Sequence, residues 1–542
     1  MNHRRFLTFV LLIFLTLCCF SCVHNGYRQE TTGTFAETEA GPEPVTFTVS
    51  PTDPYPVKLP ETPEDVAALI WLLTTEADAV KDNRSDLTEL AYIGYCSLSE
   101  EDRARIPDAD KLPALRDDAA KLNIVKKYSD TRIDHSRLQI GTYWVRLADP
   151  EHLAEIKDCG FDFVWQPPGG AENLRNFYDA GLGVMEFIGE MFIPTRLSED
   201  CVTPEGLAEY DRILEGQWEE TYPAVWGFYQ MDEPSAAMFD IIKKNGEILK
   251  KHMPGMTHII NLFPGTAADF ALGGEGNAPI DYETYINVFA DPDAFDMICY
   301  DHYLYDSHAG FAGAIKNLIT VSETADRNGM DFWIILAVYG KTGPLTTEQL
   351  KLQAYTAMAY GTENISYACW TADGWGSSSV LTKSGAKTVT YDRLKETVAD
   401  LKAFSPIYMK YSHESSALLI GADYYNRTDI FPSPQYGKIA ETHGPDSLGS
   451  EKFTSVSVSD NEFAIAGLFK KKTGTDGEGL FIINCTDYQF KKESRATVSF
   501  TVSDDVSVVT AYEKGIPRVL TPENGVYSVI SSGADAVFVT AE

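Results

Sequence analysis

Positive charge is scarce in this chain, and cysteine is sparse and scattered. Against 79 Asp and Glu stand 45 Lys and Arg, a formal net charge of −34. A surface of that sign repels phosphate backbones, which excludes nucleic acid as a partner. Beyond residue 22 the cysteines are Cys96, Cys159, Cys201, Cys299, Cys369 and Cys485, with no CxxC among them. That scatter excludes a disulfide scaffold and a structural zinc site, and it reads as small buried hydrophobes without an obligatory disulfide. No HExxH or HxH spacing marks a metal centre, and no GxGxxG follows the first strand-like run of the central region, so neither a metal nor a cofactor is expected.

What is present points to several globular domains. A hydrophobic content of 44% and a charged content of 23% over 542 residues fit two to four of them. Residues 1–22, "MNHRRFLTFVLLIFLTLCCFSC", have a basic start and an apolar stretch too short to span a bilayer comfortably, the layout of a signal peptide. The ending "CFSC" resembles a bacterial lipobox, which would make Cys22 the lipid-bearing residue, with Cys18 or Cys19 as alternatives and a plain secretory signal as the rival. Residues 23–57 are rich in Thr, Glu, Pro and Gly without helical period and read as a tether. Residues 58–132 carry three helical patterns, beginning "TPEDVAALIWLL", and resemble a small module of Gram-positive surface proteins; a packing appendage is the other reading. The expected location is therefore outside the membrane of a Gram-positive bacterium, held by a lipid anchor.

Counting decides the central region, 136–406. Eight apolar runs, from "LQIGTYWV" (138–145) to "ENISYACWT" (363–371), alternate with helical patterns that mostly close on Gly. Nearly continuous hydrophobic strands suit a parallel sheet covered on both faces. Eight βα units in such a length predict an α/β fold, a (β/α)8 TIM barrel, over an open doubly wound sheet. Residues 412–542 switch to short alternating strands such as "FAIAGLFKK" and "RATVSFTV" between Gly-rich turns, predicting an antiparallel β-sandwich.

In such barrels the site forms at the carboxyl ends of the strands. The polar and aromatic residues at those ends are Tyr143, Trp165, Glu186, Asp232, Glu233, Asn261, Asp301, His302, Tyr303, Tyr339 and Trp370. Carboxylates with aromatic walls suit glycosidic bonds: carboxylates move the protons or attack, and ring faces stack on sugars. Asp232 and Glu233 are adjacent, so a regular strand would turn them to opposite sides, and Glu233 is expected to face the axis. One of them could instead cap the helix that opens at Pro234 and Ser235.

"WGFYQMDEP" (226–234) is similar to the fourth-strand motif of clan A glycoside hydrolases, in which Asn-Glu-Pro ends the strand. The later strands resemble those of family-42-like glycosidases. The resemblance implies that Glu233 is the general acid, with Asp232 in place of the usual Asn. It also implies a nucleophilic Glu at the end of strand seven, yet "DFWIILAVYG" (331–340) ends without a carboxylate. Asp301 is the first choice for the second carboxylate and Glu186 the second. The expected activity is hydrolysis of an extracellular oligo- or polysaccharide, and the alternative is a surface lipoprotein that only captures glycans.

Overall fold

Eight of the apolar runs become eight short parallel strands: β1 (Gln139–Tyr143), β2 (Phe163–Trp165), β3 (Gly183–Phe187), β4 (Val225–Asp232), β5 (Thr257–Leu262), β6 (Met297–His302), β7 (Asp331–Ala337) and β8 (Asn364–Ala368). Each pairs with its neighbour, and β8 returns to β1 with Gln139 opposite Asn364, so the sheet closes into a barrel. The computed structural model describes residues 62–75, 87–88, 91–92, 94–95, 98–115, 133–168, 171–187, 224–252, 257–274, 276–305, 310–371, 379–424, 434–474 and 476–542. Cys22, the signal-like segment and the tether lie outside those residues.

The chain divides into two units, residues 1–116 and 117–542. In the first, helix α1 (Pro63–Thr75) starts where the Thr62 hydroxyl accepts from Asp65 N at 3.2 Å. It buries Val66, Leu69, Ile70 and Leu73 among Leu87, Ala91, Ile106 and Leu112. No described helix is long and apolar enough to cross a membrane.

In the second unit, helices follow the strands: α2 (Pro150–Asp158), α3 (Ala171–Asp179), α4 (Phe239–His252), α5 (Tyr282–Phe289), α6 (Gly310–Asn328), α7 (Thr347–Ala359) and α8 (Val389–Tyr408). Local chemistry sets their starts. Asp149 accepts from His152 N ahead of Pro150, and Thr346 and Gln349 form a reciprocal capping box before α7. Alternation along the strands divides the apolar residues between two cores. Phe163, Trp165, Met185, Tyr229, Cys299, Trp333 and Ile335 fill the barrel interior. Val164, Val184, Phe228, Ile260, Ile298 and Tyr300 face the helices. The described cysteines Cys159, Cys299, Cys369 and Cys485 are buried thiols.

The C-terminal strands are β9 (Tyr411–Ile420), β10 (Phe453–Val458), β11 (Phe463–Lys471), β12 (Glu478–Asn484), β13 (Arg495–Val502), β14 (Val509–Glu513), β15 (Ile516–Val519), β16 (Tyr527–Ser532) and β17 (Ala536–Ala541). They form a six-stranded sheet in the order β9-β11-β12-β17-β14-β15 and a three-stranded sheet in the order β10-β13-β16. The central strands of the large sheet, β11, β12 and β17, are buried on both faces. Leu480 and Ile482 of β12 face the small sheet, while Phe481 and Ile483 enter the core that surrounds the barrel strands. Gly467 of β11 makes this possible, because a Cβ there would collide with the carbonyl oxygen of Ala359 at the end of α7. Gly467→Ala is expected to lower the unfolding free energy by about 1–3 kcal/mol through overpacking at this contact, measured by urea denaturation.

Candidate active site

The carboxyl end of the barrel gathers three acids. Strand β4 runs to Asp232, and at Glu233 the backbone turns into the left-handed region with φ 46°. A side chain with a Cβ pays on the order of 1–3 kcal/mol for such a conformation, so the surroundings must hold it. Asn261 at the end of β5 does so from both sides. Its backbone carbonyl accepts from Glu233 N at 2.7 Å, and its amide Nδ2 donates to Asp232 Oδ1 at 2.9 Å. The turn breaks the strand alternation that would separate neighbouring side chains, and the carboxyls of Asp232 and Glu233 act on one another. Neither caps the following helical turn, which starts at Ser235.

Asp301 faces them from β6. It is 3% exposed, and Oδ1 has no hydrogen-bond partner among the described residues. Burial, then the charges of Glu233 and Asp232, push its carboxyl well above the usual carboxylate range; a hydrogen bond from Tyr303 works in the opposite sense. Glu233 is pushed up to about 7, first by burial and then by the charge of Asp232. Two raised carboxyls whose ionisations oppose one another, beside a third acid, keep a proton to higher pH than isolated carboxyls do, and a pair that holds one proton between them is a set able to give and take it.

The floor of the site is aromatic. Tyr143 Oη lies 3.2 Å from Tyr229 Oη, and Tyr229 hydrogen-bonds Asp232, so a chain of hydroxyls runs from the barrel interior to the acids. Trp165 packs edge-on to Tyr229 with ring centroids 5.3 Å apart. At the rim Tyr303 and Tyr339 are half-buried, with centroids 6.0 Å apart. Trp144 ends β1 with φ 63°, and the Arg146 guanidinium lies 4.7 Å from its ring centroid. Gln166 ends β2 with φ 46°. Three of the eight strands thus close on a left-handed residue other than glycine, all at the rim that carries the acids.

No protein-family model matches the chain, and no curated protein does. Solved structures with a similar course include a family 42 β-galactosidase from G. stearothermophilus, 9% identical, covering 76% of this chain and 100% of that one with a TM-score of 0.43. An Anoxybacillus α-amylase is 10% identical over 76% of this chain and 99% of that one, TM-score 0.39. An endo-β-1,3-glucanase of family 128 from Amycolatopsis mediterranei, in complex with laminarihexaose, is 13% identical over 48% and 99%, TM-score 0.29. At these scores the likeness decides nothing about chemistry, and the barrel stands on its own strand pairing.

Several residues expected at the mouth lie elsewhere. His302 follows Asp301 and therefore points the opposite way, into the helical shell, where Asn317 Nδ2 lies 2.9 Å from its Nδ1. Burial lowers its pKa to about 4, so the ring is neutral. Trp370 lies past the end of β8 and packs against Phe161 and Tyr391, centroids 5.7 and 6.0 Å away, again in the shell. Trp165 is fully buried, and its Nε1 donates to Ser366 Oγ at 2.8 Å, so it plugs the barrel and offers no face to a sugar. Tyr143 and Asn261, 3% and 4% exposed, support the acids from below and beside. Glu186 lies in β3, and its side chain is outside the described residues. Trp144, Gln166 and Tyr229 were missed; the period of two marks Tyr229 as inward once Asp232 is inward with the bulge after Tyr229 allowed for, but nothing local marks the left-handed ends.

One cluster at the opposite, amino end of the barrel has ligand-bearing side chains: His135 Nδ1 lies 3.2 Å from Asp331 and 3.6 Å from Glu363. Hydrogen bonds to the two carboxylates raise His135 to about 10, and Lys472 Nζ lies 3.1 Å from Glu363, so it is an ion-pair network.

Crowding at the mouth has a cost that pH exposes. A raised carboxyl favours the folded state below its ordinary pKa, 4.5 for Glu233, and that contribution is lost as pH rises through about 7. Glu233→Gln is therefore expected to be more stable than the parent above pH 7, by about 1–3 kcal/mol, with the difference vanishing below pH 4.5. Denaturant titrations at several pH values measure it.

Proposed function

We propose that the chain is a glycoside hydrolase that cleaves an extracellular oligo- or polysaccharide at the carboxyl end of its barrel, and that a lipid on Cys22 anchors it outside the cell membrane. The observation that carries the reading is the meeting of Glu233 and Asp301, from β4 and β6, with both carboxyls raised. Structural support for catalysis lies in the difference between them. Glu233 sits at the lip, partly exposed, where a leaving oxygen would stand, while Asp301 is sunk beneath it with a Tyr303 hydroxyl on its carboxyl.

In this mechanism Glu233 gives its proton to the glycosidic oxygen as the bond breaks. The reactive form carries one proton for the pair, on Glu233, with Asp301 ionised; as positive charge grows at the anomeric carbon, the Asp301 carboxylate attacks that carbon or takes a proton from the incoming water, according to the gap between the two acids. Burial first, and then the charge of Asp232, keeps the proton on Glu233 up to about pH 7. The half-buried rings of Tyr303 and Tyr339 and the Trp144–Arg146 pair offer faces to the sugar. An acidic surface with a formal charge of −34 favours neutral or cationic glycans over polyuronates.

A panel of aryl glycosides and polysaccharides tests the reading. Glu233→Gln and Asp301→Asn are each expected to reduce turnover at least about 1000-fold while glycan binding survives; turnover retained in either variant would contradict its role. Activity is expected to fall as pH rises through about 7, where Glu233 loses its proton. Asp232→Asn removes a charge that raises Glu233, so the alkaline limb of its kcat profile should move to lower pH.

A further inference from the structure

The strand that holds Asp301 is unusual on its outer face. Tyr300 and His302 flank Asp301, and both turn away from the barrel axis into one cavity of about 20 Å³ behind β6. Gln353 and Thr356 of α7 line its far side, with apolar walls from Leu304, Phe311 and others. All four polar residues are at least nine-tenths buried: Tyr300 0%, His302 3%, Gln353 4% and Thr356 2% exposed. Each ends in an atom with no hydrogen-bond partner among the described residues: Tyr300 Oη, His302 Nε2, Gln353 Oε1 and Thr356 Oγ1. Buried polar atoms are rarely left so, and four that converge on one chamber point to a shared ligand.

The chemistry of the lining selects that ligand. The chamber has no carboxylate and no cation, so it suits neither a metal ion nor an anion. It is too small for a sugar, but a water needs only about 10–15 Å³ and two to four partners. The donors and acceptors also balance. Gln353 Nε2 donates to the Ala337 carbonyl at 2.7 Å, which fixes Oε1 as the acceptor. Asn317 donates to His302 Nδ1 at 2.9 Å, which leaves the ring proton on Nε2 as a donor. The Tyr300 and Thr356 hydroxyls complete two donors and two acceptors.

We propose that this chamber binds one ordered water, and that the water ties β6 to α7 through His302 and Tyr300 and so sets the position of Asp301 between them. The second part rests on the catalytic reading of Asp301; the first does not. His302 is then a positioning residue for the reaction, acting through the strand without touching the sugar.

A high-resolution crystal structure of the full chain tests the first part. One water within hydrogen-bond distance of all four atoms is expected; a dry chamber, or side chains turned to pair with each other, overturns it. For the second part, His302→Phe and Thr356→Val are compared with the parent in aryl-glycoside turnover. Thr356→Val keeps the shape and removes one partner, which guards against misfolding of the larger change. Positioning predicts a fall in kcat of about tenfold to a hundredfold in His302→Phe, with KM little changed and the pH limbs displaced. A smaller fall is expected in Thr356→Val. A lowered Tm with the parent's kcat and pH profile in both folded variants overturns the positioning role. A parent without turnover on any substrate in the panel overturns the glycosidase reading and the positioning role together, while the water is still decided by the crystal structure.

Discussion

Mutual repulsion among three carboxyl groups is the interaction that organises the mouth of the barrel. Asp301 is buried against an aromatic floor, and Glu233 and Asp232 arrive beside it on the next strand but one. Alone, such a grouping would fly apart or draw in water and cations. It is held because the closed sheet fixes where β4 and β6 end, because Asn261 grips both sides of the turn at Glu233, and because Tyr229 and Tyr303 place hydroxyls on two of the acids. Repulsion that cannot relax by movement relaxes by protonation, and that makes a proton available at neutral pH.

The interior packing carries this load. Trp165, Trp333, Phe163 and Tyr229 interlock across the axis with ring centroids 5.3 to 6.5 Å apart. They close the barrel below the acids and lower the local dielectric, which strengthens every charge effect above them. The sandwich adds stiffness from outside. Its large sheet shares a core with the helical shell, so the helices behind β6 and β7 are backed by a second layer of strands. A strand buried on both faces, such as β12 with "EGLFIIN", carries apolar residues without alternation because each face meets a core.

Much of the fold was legible. The eight barrel strands fall within the eight apolar runs, since parallel strands covered on both sides need continuous hydrophobicity. Of the nine described strands after residue 410, three were not: "FTSVSV" and "YSVISS" are half polar, and "IPRV" is a short edge strand with every residue exposed. Within the site, the placing of His302 at the mouth conflicted with the period of two that also placed Asp301 there, so that error could have been avoided. Trp370 and Trp165 could not have been sorted in this way. Whether a tryptophan near a strand end plugs the axis, packs on a helix or meets solvent depends on how far the strand runs and on what its neighbours leave open.

By itself the sequence determined the kinds of element, their number and their order, because hydrophobic period and turn chemistry act over a few residues. It also determined that acids and aromatics stand at the ends of the strands. Only the tertiary structure decided that Asp232, Glu233 and Asp301 meet at one mouth, with Asp301 buried, Glu233 half-buried and Asp232 exposed. That outcome needs a left-handed residue at 233, a partner strand to hold it and a closed ring of strands to bring β4 and β6 within reach, and none of these is a property of a local stretch of chain.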